Sequence, residues 1–301
     1  MNLSKKNECF KSFENIHEGE TIYIIGNGPS LGETDLSLIE NSPSIAMNRI
    51  SLIYPKYINW RPKYYIFCST NLFNPNWGKD WVKSVTEAIG CKNTISFIDK
   101  RSEEYLIKNN CKITKNTKII NNLTENRADK QGSIHPKSFS TNIVKSIDKT
   151  GTSMNIALQI AYFMGASKII FLGTDLGWTA TIGKKIDPNH FDKTYRENIS
   201  DPVRENIKMR NVHILSKKIF KKNKPHVVFY NASKYSKLDL YPIIDFEKFA
   251  KSGIVKENKE KLREAKQFWK NLSIEKKYIL KIRKFKYRFK ENFFKFINKF
   301  N

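Results

Sequence analysis

Along this chain, short β-branched and aromatic runs alternate with longer stretches of helical patterning, beginning with Thr21-Ile22-Tyr23-Ile24-Ile25. A run that short, apolar throughout and closed by glycine, predicts a buried strand. Ser44–Met47, Tyr64–Cys68, Thr94–Ile98, Lys168–Leu172 and Val227–Tyr230 have the same character, and Cys111–Ile113 and Lys118–Ile120 are weaker strand candidates. Between them, Trp77–Ile89 and Val203–Lys222 predict helices. A further helix follows Gly151, with Ile156, Ile160 and Phe163 on one face and Thr152 or Ser153 as its cap. Ile243–Lys270 predicts helices returning onto the domain. Strands and helices in this alternation predict an α/β fold: a Rossmann-like, mostly parallel sheet with helices on both faces. Residues Asp99–Lys149 are polar and lack a clear period, so they read as a variable insertion. Three segments follow: an N-terminal extension over 1–20, the domain over 21–270, and a tail over 271–301.

The strand ends carry the chemistry. The first strand runs into Gly26-Asn27-Gly28-Pro29-Ser30. Two glycines there permit backbone angles closed to other residues and leave room for a ligand to approach the main chain. Phosphates bind at such strand ends, on exposed backbone N–H groups. The dinucleotide fingerprint GxGxxG and the P-loop GxxxxGK[ST] are both absent. Asn48 ends the second strand, Ser69 and Asn71 follow the third, and Gly173-Thr174-Asp175 ends the strand Lys168–Leu172. Such groups suit sugar hydroxyls, base edges or phosphate oxygens, and equally suit helix caps.

Composition narrows the class. Of 301 residues, 40% are apolar and 13% aromatic, enough for a real core, which excludes global disorder. Lys and Arg number 54 against 29 acids, and the net charge of +25 calls for an anionic partner: nucleotide, membrane surface or nucleic acid. Cys9, Cys68, Cys91 and Cys111 form no C-x-x-C pair and no metal spacing, as expected of reduced thiols in a cytoplasmic protein. Met1–Gly19 is polar and charged, so no signal peptide is expected, and no run of eighteen apolar residues occurs. In the tail, Tyr278, Ile282, Phe285, Phe289, Phe293, Phe296 and Phe300 form one stripe amid lysines. That pattern predicts a basic amphipathic helix; it would dock on the core, lie on anionic lipid or, least favoured, bind nucleic acid.

The glycine turn GNGPSL, Asn48, and the run from Thr152-Ser153 through Gly165 to Gly173-x-Asp175 together resemble the bacterial glycosyltransferase family 42 sialyltransferases. They also resemble the wider group holding the 6-hydroxymethylpterin pyrophosphokinase-like domain (domain of unknown function 115). The resemblance covers roughly Thr21–Asn71 and Thr150–Ser233. It implies a GT-A-like catalytic domain that binds a CMP-sugar without metal or other cofactor, with a mobile lid over about 176–205. By position, Gly26, Asn27, Gly28, Pro29 and Ser30 would hold nucleotide phosphate and ribose. Asn48 would contact donor, Thr152 and Ser153 would meet phosphate or donor sugar, and Asp175 would bind ribose or orient the lid.

The lid segment contains Asp187-Pro188-Asn189-His190-Phe191, and the family uses a lid histidine as base for the acceptor hydroxyl. Of the five histidines, His190 alone stands in such a place. Where the family carries a tyrosine two residues beyond the aspartate, this chain has Gly177. Thr179, Thr181, Lys184 or Lys185 would then meet the departing phosphate. The expected activity is inverting transfer of a nonulosonic or related sugar from a CMP donor to a surface glycan. The acceptor would be a lipid-linked glycan at the inner membrane face, with the protein peripheral there; self-association stays open. The alternative is an ATP- and magnesium-dependent diphosphotransferase acting on a pterin alcohol. A basic nucleic-acid-binding protein without catalysis is the third reading.

Overall fold

The computed structural model describes residues 9–68, 80–124, 138–149, 152–184, 186–195 and 199–273. Seven strands form one parallel sheet: β1 (Thr21–Ile25), β2 (Ser44–Met47), β3 (Tyr64–Phe67), β4 (Ile95–Asp99), β5 (Thr117–Ile120), β8 (Lys168–Leu172) and β9 (Val228–Asn231). Their order is β5-β4-β3-β2-β1-β8-β9. A separate short parallel pair joins β6 (Leu123–Thr124) to β7 (Ile147–Asp148). In the central register Ile24 lies between Ile45 and Phe171.

Each central strand is covered on both faces, which is why its sequence is continuously apolar rather than alternating. Ile22 and Ile24 share one core with α3 (Ser153–Phe163) and with Val212 and Phe220 of α4 (Pro202–Asn223). Tyr23 and Ile25 share the other with Trp81 and Val85 of α1 (Asp80–Gly90), Leu106 of α2 (Lys100–Lys108) and Phe246 of α5 (Phe246–Ser252). The architecture is thus the α/β sheet with helices on both faces that the pattern predicts.

Helix α3 is buried from Met154 to Phe163, so its two polar members must find partners inside. Gln159 donates to Asp148 O and Asn155 O and accepts from Ser140 N and Asp148 N, and Asn155 donates to Asp148 O. This network fixes where α3 begins.

Three features differ from the sequence reading. Lys100–Lys108, inside the expected insertion, is helix α2, capped by Asp99, whose carboxylate accepts from Ser102 N at 3.0 Å. Thr117–Ile120 completes the main sheet as its edge strand, while Cys111–Ile113 is not a strand; the chain has turned at Asn110, φ 56°. Phe10 and Phe13 lie in the core, so the segment before β1 is tied to the domain.

After α5, residues 259–273 are helical and bury Ala265, Trp269 and Leu272. Arg210 pairs with Asp239 at 2.7 and 2.8 Å and sits 4.8 Å over the Trp269 ring, fixing that helix to α4. The apolar stripe of Ile274–Asn301 lies outside the described residues. Among the described residues no helix is long and apolar enough to cross a membrane.

Candidate functional site

The strand order reverses at β1, with β2 on one side and β8 on the other. Ligands of open α/β sheets lie outside the carboxyl ends of the strands at such a switch point. Here those ends are Gly26–Ser30 and Gly173–Asp175, and they interlock. A side chain at Gly26 would come 2.5 Å from Gly173 O, and one at Gly173 (φ +58°) 2.7 Å from Gly26 O. Gly28 N donates to Gly173 O at 2.8 Å, and Ser30 N donates to Asp175 Oδ2 at 2.8 Å. The space beside Gly28 is taken by that same carboxylate and Gly173 O. So the room that glycine leaves at 26 and 28 admits the end of β8, a correction to the ligand approach expected there.

The turn is lined by buried polar groups. Asn27 donates to Met47 O, but its Oδ1 has no partner. The Ser30 hydroxyl and the Asp175 carboxylate are buried beside it and lie against each other. A buried polar atom left without a partner, as Asn27 Oδ1 is, costs roughly 1–3 kcal/mol. Burial pushes the Asp175 carboxyl pKa up, opposed by its bonds from Ser30. Thr174 is spent structurally, its N–H donating to Ser233 and its hydroxyl to Leu172 O. Pro29 opens the short 3-10 helix Pro29–Glu33, where a missing N–H costs nothing.

Asn48 adopts φ 56°, a left-handed conformation that asparagine tolerates better than most residues. It is held from two sides: its carbonyl accepts from Tyr65 OH at 2.6 Å, and its Oδ1 from Ser153 Oγ at 3.3 Å. Thr152 caps α3 by accepting from Met154 N. The structure therefore brings Asn48, Thr152 and Ser153 together at the start of α3. Ser69 and Asn71 lie outside the described residues.

The segment after Asp175 turns sharply through Leu176 (φ 56°) and Gly177 (φ 79°). Asn206 of α4 pins it, accepting from Gly177 N and Trp178 N and donating to Trp178 O. Thr179 and Asn189 then close a loop on each other. The loop returns over the glycine turn, where Phe191 N donates to Asn27 O at 3.0 Å. His190 is thereby carried next to the turn. It is 7% exposed, its Nδ1 lies 2.9 Å from Asp187 Oδ2, and its ring stacks on Tyr195 at 3.7 Å with Trp178 edge-on. Asp187 also accepts from Asn189 N at 2.8 Å.

His213, by contrast, is a core residue against Phe171 and Tyr241, and burial alone pushes its pKa down to about 3.

Asp187, Arg49 and Asn206 were not candidates in the sequence. Asp187 could have been, since it stands three residues before His190 in the quoted motif. Among the described residues no group of three His, Cys, Asp or Glu side chains could hold a metal ion. A cavity of about 950 Å³ opens beside Ser30, Glu33 and Thr34, facing Lys234, Phe246 and Lys248.

No protein-family model and no curated protein matches this chain. Among solved structures, the sialyltransferase CstII from Campylobacter jejuni, in complex with a substrate analogue, cytidine-5′-monophosphate, is similar with a TM-score of 0.37. Identity is 14%, covering 71% of this chain and 80% of that one.

Proposed function

We propose that this chain is a sialyltransferase-like glycosyltransferase, moving a nonulosonic or related sugar from a CMP donor to a surface glycan. The observation that carries the reading is the juxtaposition at the switch point. Asn27, Ser30 and Asp175 cluster buried polar groups there, and the loop over them holds a histidine backed by a carboxylate.

In the tautomer that donates Nδ1–H to Asp187, Nε2 is the basic nitrogen of His190. Nε2 would take the acceptor hydroxyl's proton as that oxygen bonds to the anomeric carbon. The bond to the nucleotide breaks on the opposite face, and CMP leaves with its electron pair, so the configuration inverts. The first turn of α3, with Thr152 and Ser153, would face the phosphate, because helix N-termini favour anions. Thr179 and Thr181 have their side-chain oxygens engaged within the loop, and in this reading the exposed Lys184 would meet the departing phosphate. The tail would carry the protein to anionic lipid at the inner membrane face, where a lipid-linked acceptor grows.

The test is a thermal-shift panel of CMP, CDP, UDP, GDP, ATP and S-adenosylmethionine, with and without magnesium. CMP alone should stabilise the fold, by about 2.7 kcal/mol at a hundred times its Kd. Protection by ATP–magnesium but not by CMP would transfer the chain to the diphosphotransferase reading.

A further inference from the structure

Arg49 follows Asn48 directly and is 2% exposed, a burial that arginine reaches only when its guanidinium is occupied. Its Nη1 donates to two carbonyls at the end of the His190 loop, Thr194 O at 3.0 Å and Tyr195 O at 2.7 Å. Its Nε donates to Ser84 Oγ of α1 at 3.2 Å. The same group lies 5.3 Å from the Trp81 ring centre and 5.7 Å from that of Tyr195. Tyr195, held in this way by its carbonyl and its ring, is the surface on which His190 stacks at 3.7 Å and 6°.

We propose that Arg49 is a positioning residue: it fixes Tyr195, and through Tyr195 sets where the His190 imidazole stands over the glycine turn. The planar guanidinium suits the task, since one of its nitrogens meets two adjacent carbonyls while its plane lies near two rings, which an ammonium does poorly. Its place in the chain adds a second consequence. Asn48, pinned to Ser153 at the start of α3, and Arg49, pinned to the loop, are neighbours in one turn. A donor that orders Asn48 therefore steadies the residue that places the base. Charge-assisted bonds to buried carbonyls are among the stronger ones, so their loss should release the loop end without unfolding the sheet.

The role in transfer rests on His190 acting as base, but the test reads only where His190 sits. The full chain, as wild type and as Arg49→Met, is treated briefly with diethyl pyrocarbonate, and each histidine's modification is followed by peptide mass spectrometry. Exposed His226 calibrates the reagent, and fully buried His213 reports the integrity of the core. His190 should react about tenfold faster in Arg49→Met, the change expected when roughly 1.4 kcal/mol of support for the closed loop is lost. His213 should stay protected in both proteins. An unchanged His190 rate would overturn the proposal, and so would a joint rise of His190 and His213, which would make Arg49 a residue of the fold alone. If Arg49→Met does not fold, Arg49→Lys is measured in the same way, with the same outcomes deciding. Should CMP fail to bind, the proposed function falls while this result stands or falls by itself.

Discussion

Replacing Gly28 by alanine separates two reasons for a glycine at the turn. Its backbone, at φ −66° and ψ 166°, is open to any residue, so the substitution acts through space alone. The new methyl would lie 2.8 Å from Gly173 O and nearer still to Asp175 Oδ2. Asp175 is not free to swing away, because it is 4% exposed and accepts from Ser30 N. Displacing it forfeits that charged hydrogen bond, about 1.5–3 kcal/mol. Overpacking against the backbone of β8 adds about 1–3 kcal/mol. A loss of about 2.5–6 kcal/mol is therefore expected, a large part of the roughly 5–15 kcal/mol that holds a domain together. Urea unfolding followed by tryptophan fluorescence measures it. Gly32→Ala is the control, since its nearest neighbour, Phe191, would be 3.7 Å away, an ordinary contact. A double-mutant cycle with Asp175→Ala then divides the cost, because without the carboxylate its share should vanish while the clash with Gly173 O remains. Wild-type stability of Gly28→Ala, or a penalty untouched by Asp175→Ala, would refute the reasoning.

His190→Ala should lower transfer by about 10²–10⁴-fold with CMP affinity kept, and Asp187→Asn should reproduce part of that loss; unchanged turnover at saturating substrate removes the pair from the mechanism. His213 is held neutral to about pH 3, whereas in the unfolded chain it takes its proton near pH 6.5. The unfolded state binds the extra proton between these values, so stability is full above pH 6.5 and falls as pH drops toward 3. At pH 5 this amounts to about 2 kcal/mol, and the stability gap between wild type and His213→Gln should narrow by that amount from pH 7.5; a constant gap would contradict it. Deleting residues 274–301, or replacing Phe289 and Phe293 by serine, should release the protein from anionic vesicles in a sedimentation assay. Insoluble protein after the deletion would instead assign the stripe to the core.

Much of the fold was legible because the strands are buried on both faces, so that Thr21–Ile25 or Lys168–Leu172 can hardly be anything else. The miss at Lys100–Lys108 has the opposite cause. In Lys-Arg-Ser-Glu-Glu-Tyr-Leu-Ile-Lys only Ser102 and Leu106 are buried, too few for a helical period to show. The site was legible as a place, not as a set of contacts. Spacing of three puts side chains together on a helix, but in a loop it sets no facing, so Asp187 did not declare itself beside His190. Arg49 was hidden by distance, since its partners stand 35, 145 and 146 residues away. Gly28 was read as needing backbone angles closed to other residues, whereas its φ of −66° is open to any, and the space it keeps is filled by Asp175 and Gly173 O.

The pairing of β1 with β8 also sets a timetable. β1 meets β2 after a short connection, yet its other edge waits for a strand about 150 residues further on. At roughly 5–20 residues per second, a nascent chain would carry that edge unpaired for about 7–30 s. An open, apolar, parallel-pairing edge is the kind on which growing chains stick to one another. Chains cut short before Lys168 would keep Ile22 and Ile24 beside a vacant strand position indefinitely, and such fragments should be found with chaperones or in aggregates. The crevice proposed to hold the donor comes into being only when β8 docks, so the last strand pair to close the centre of the sheet is also the one that completes the site.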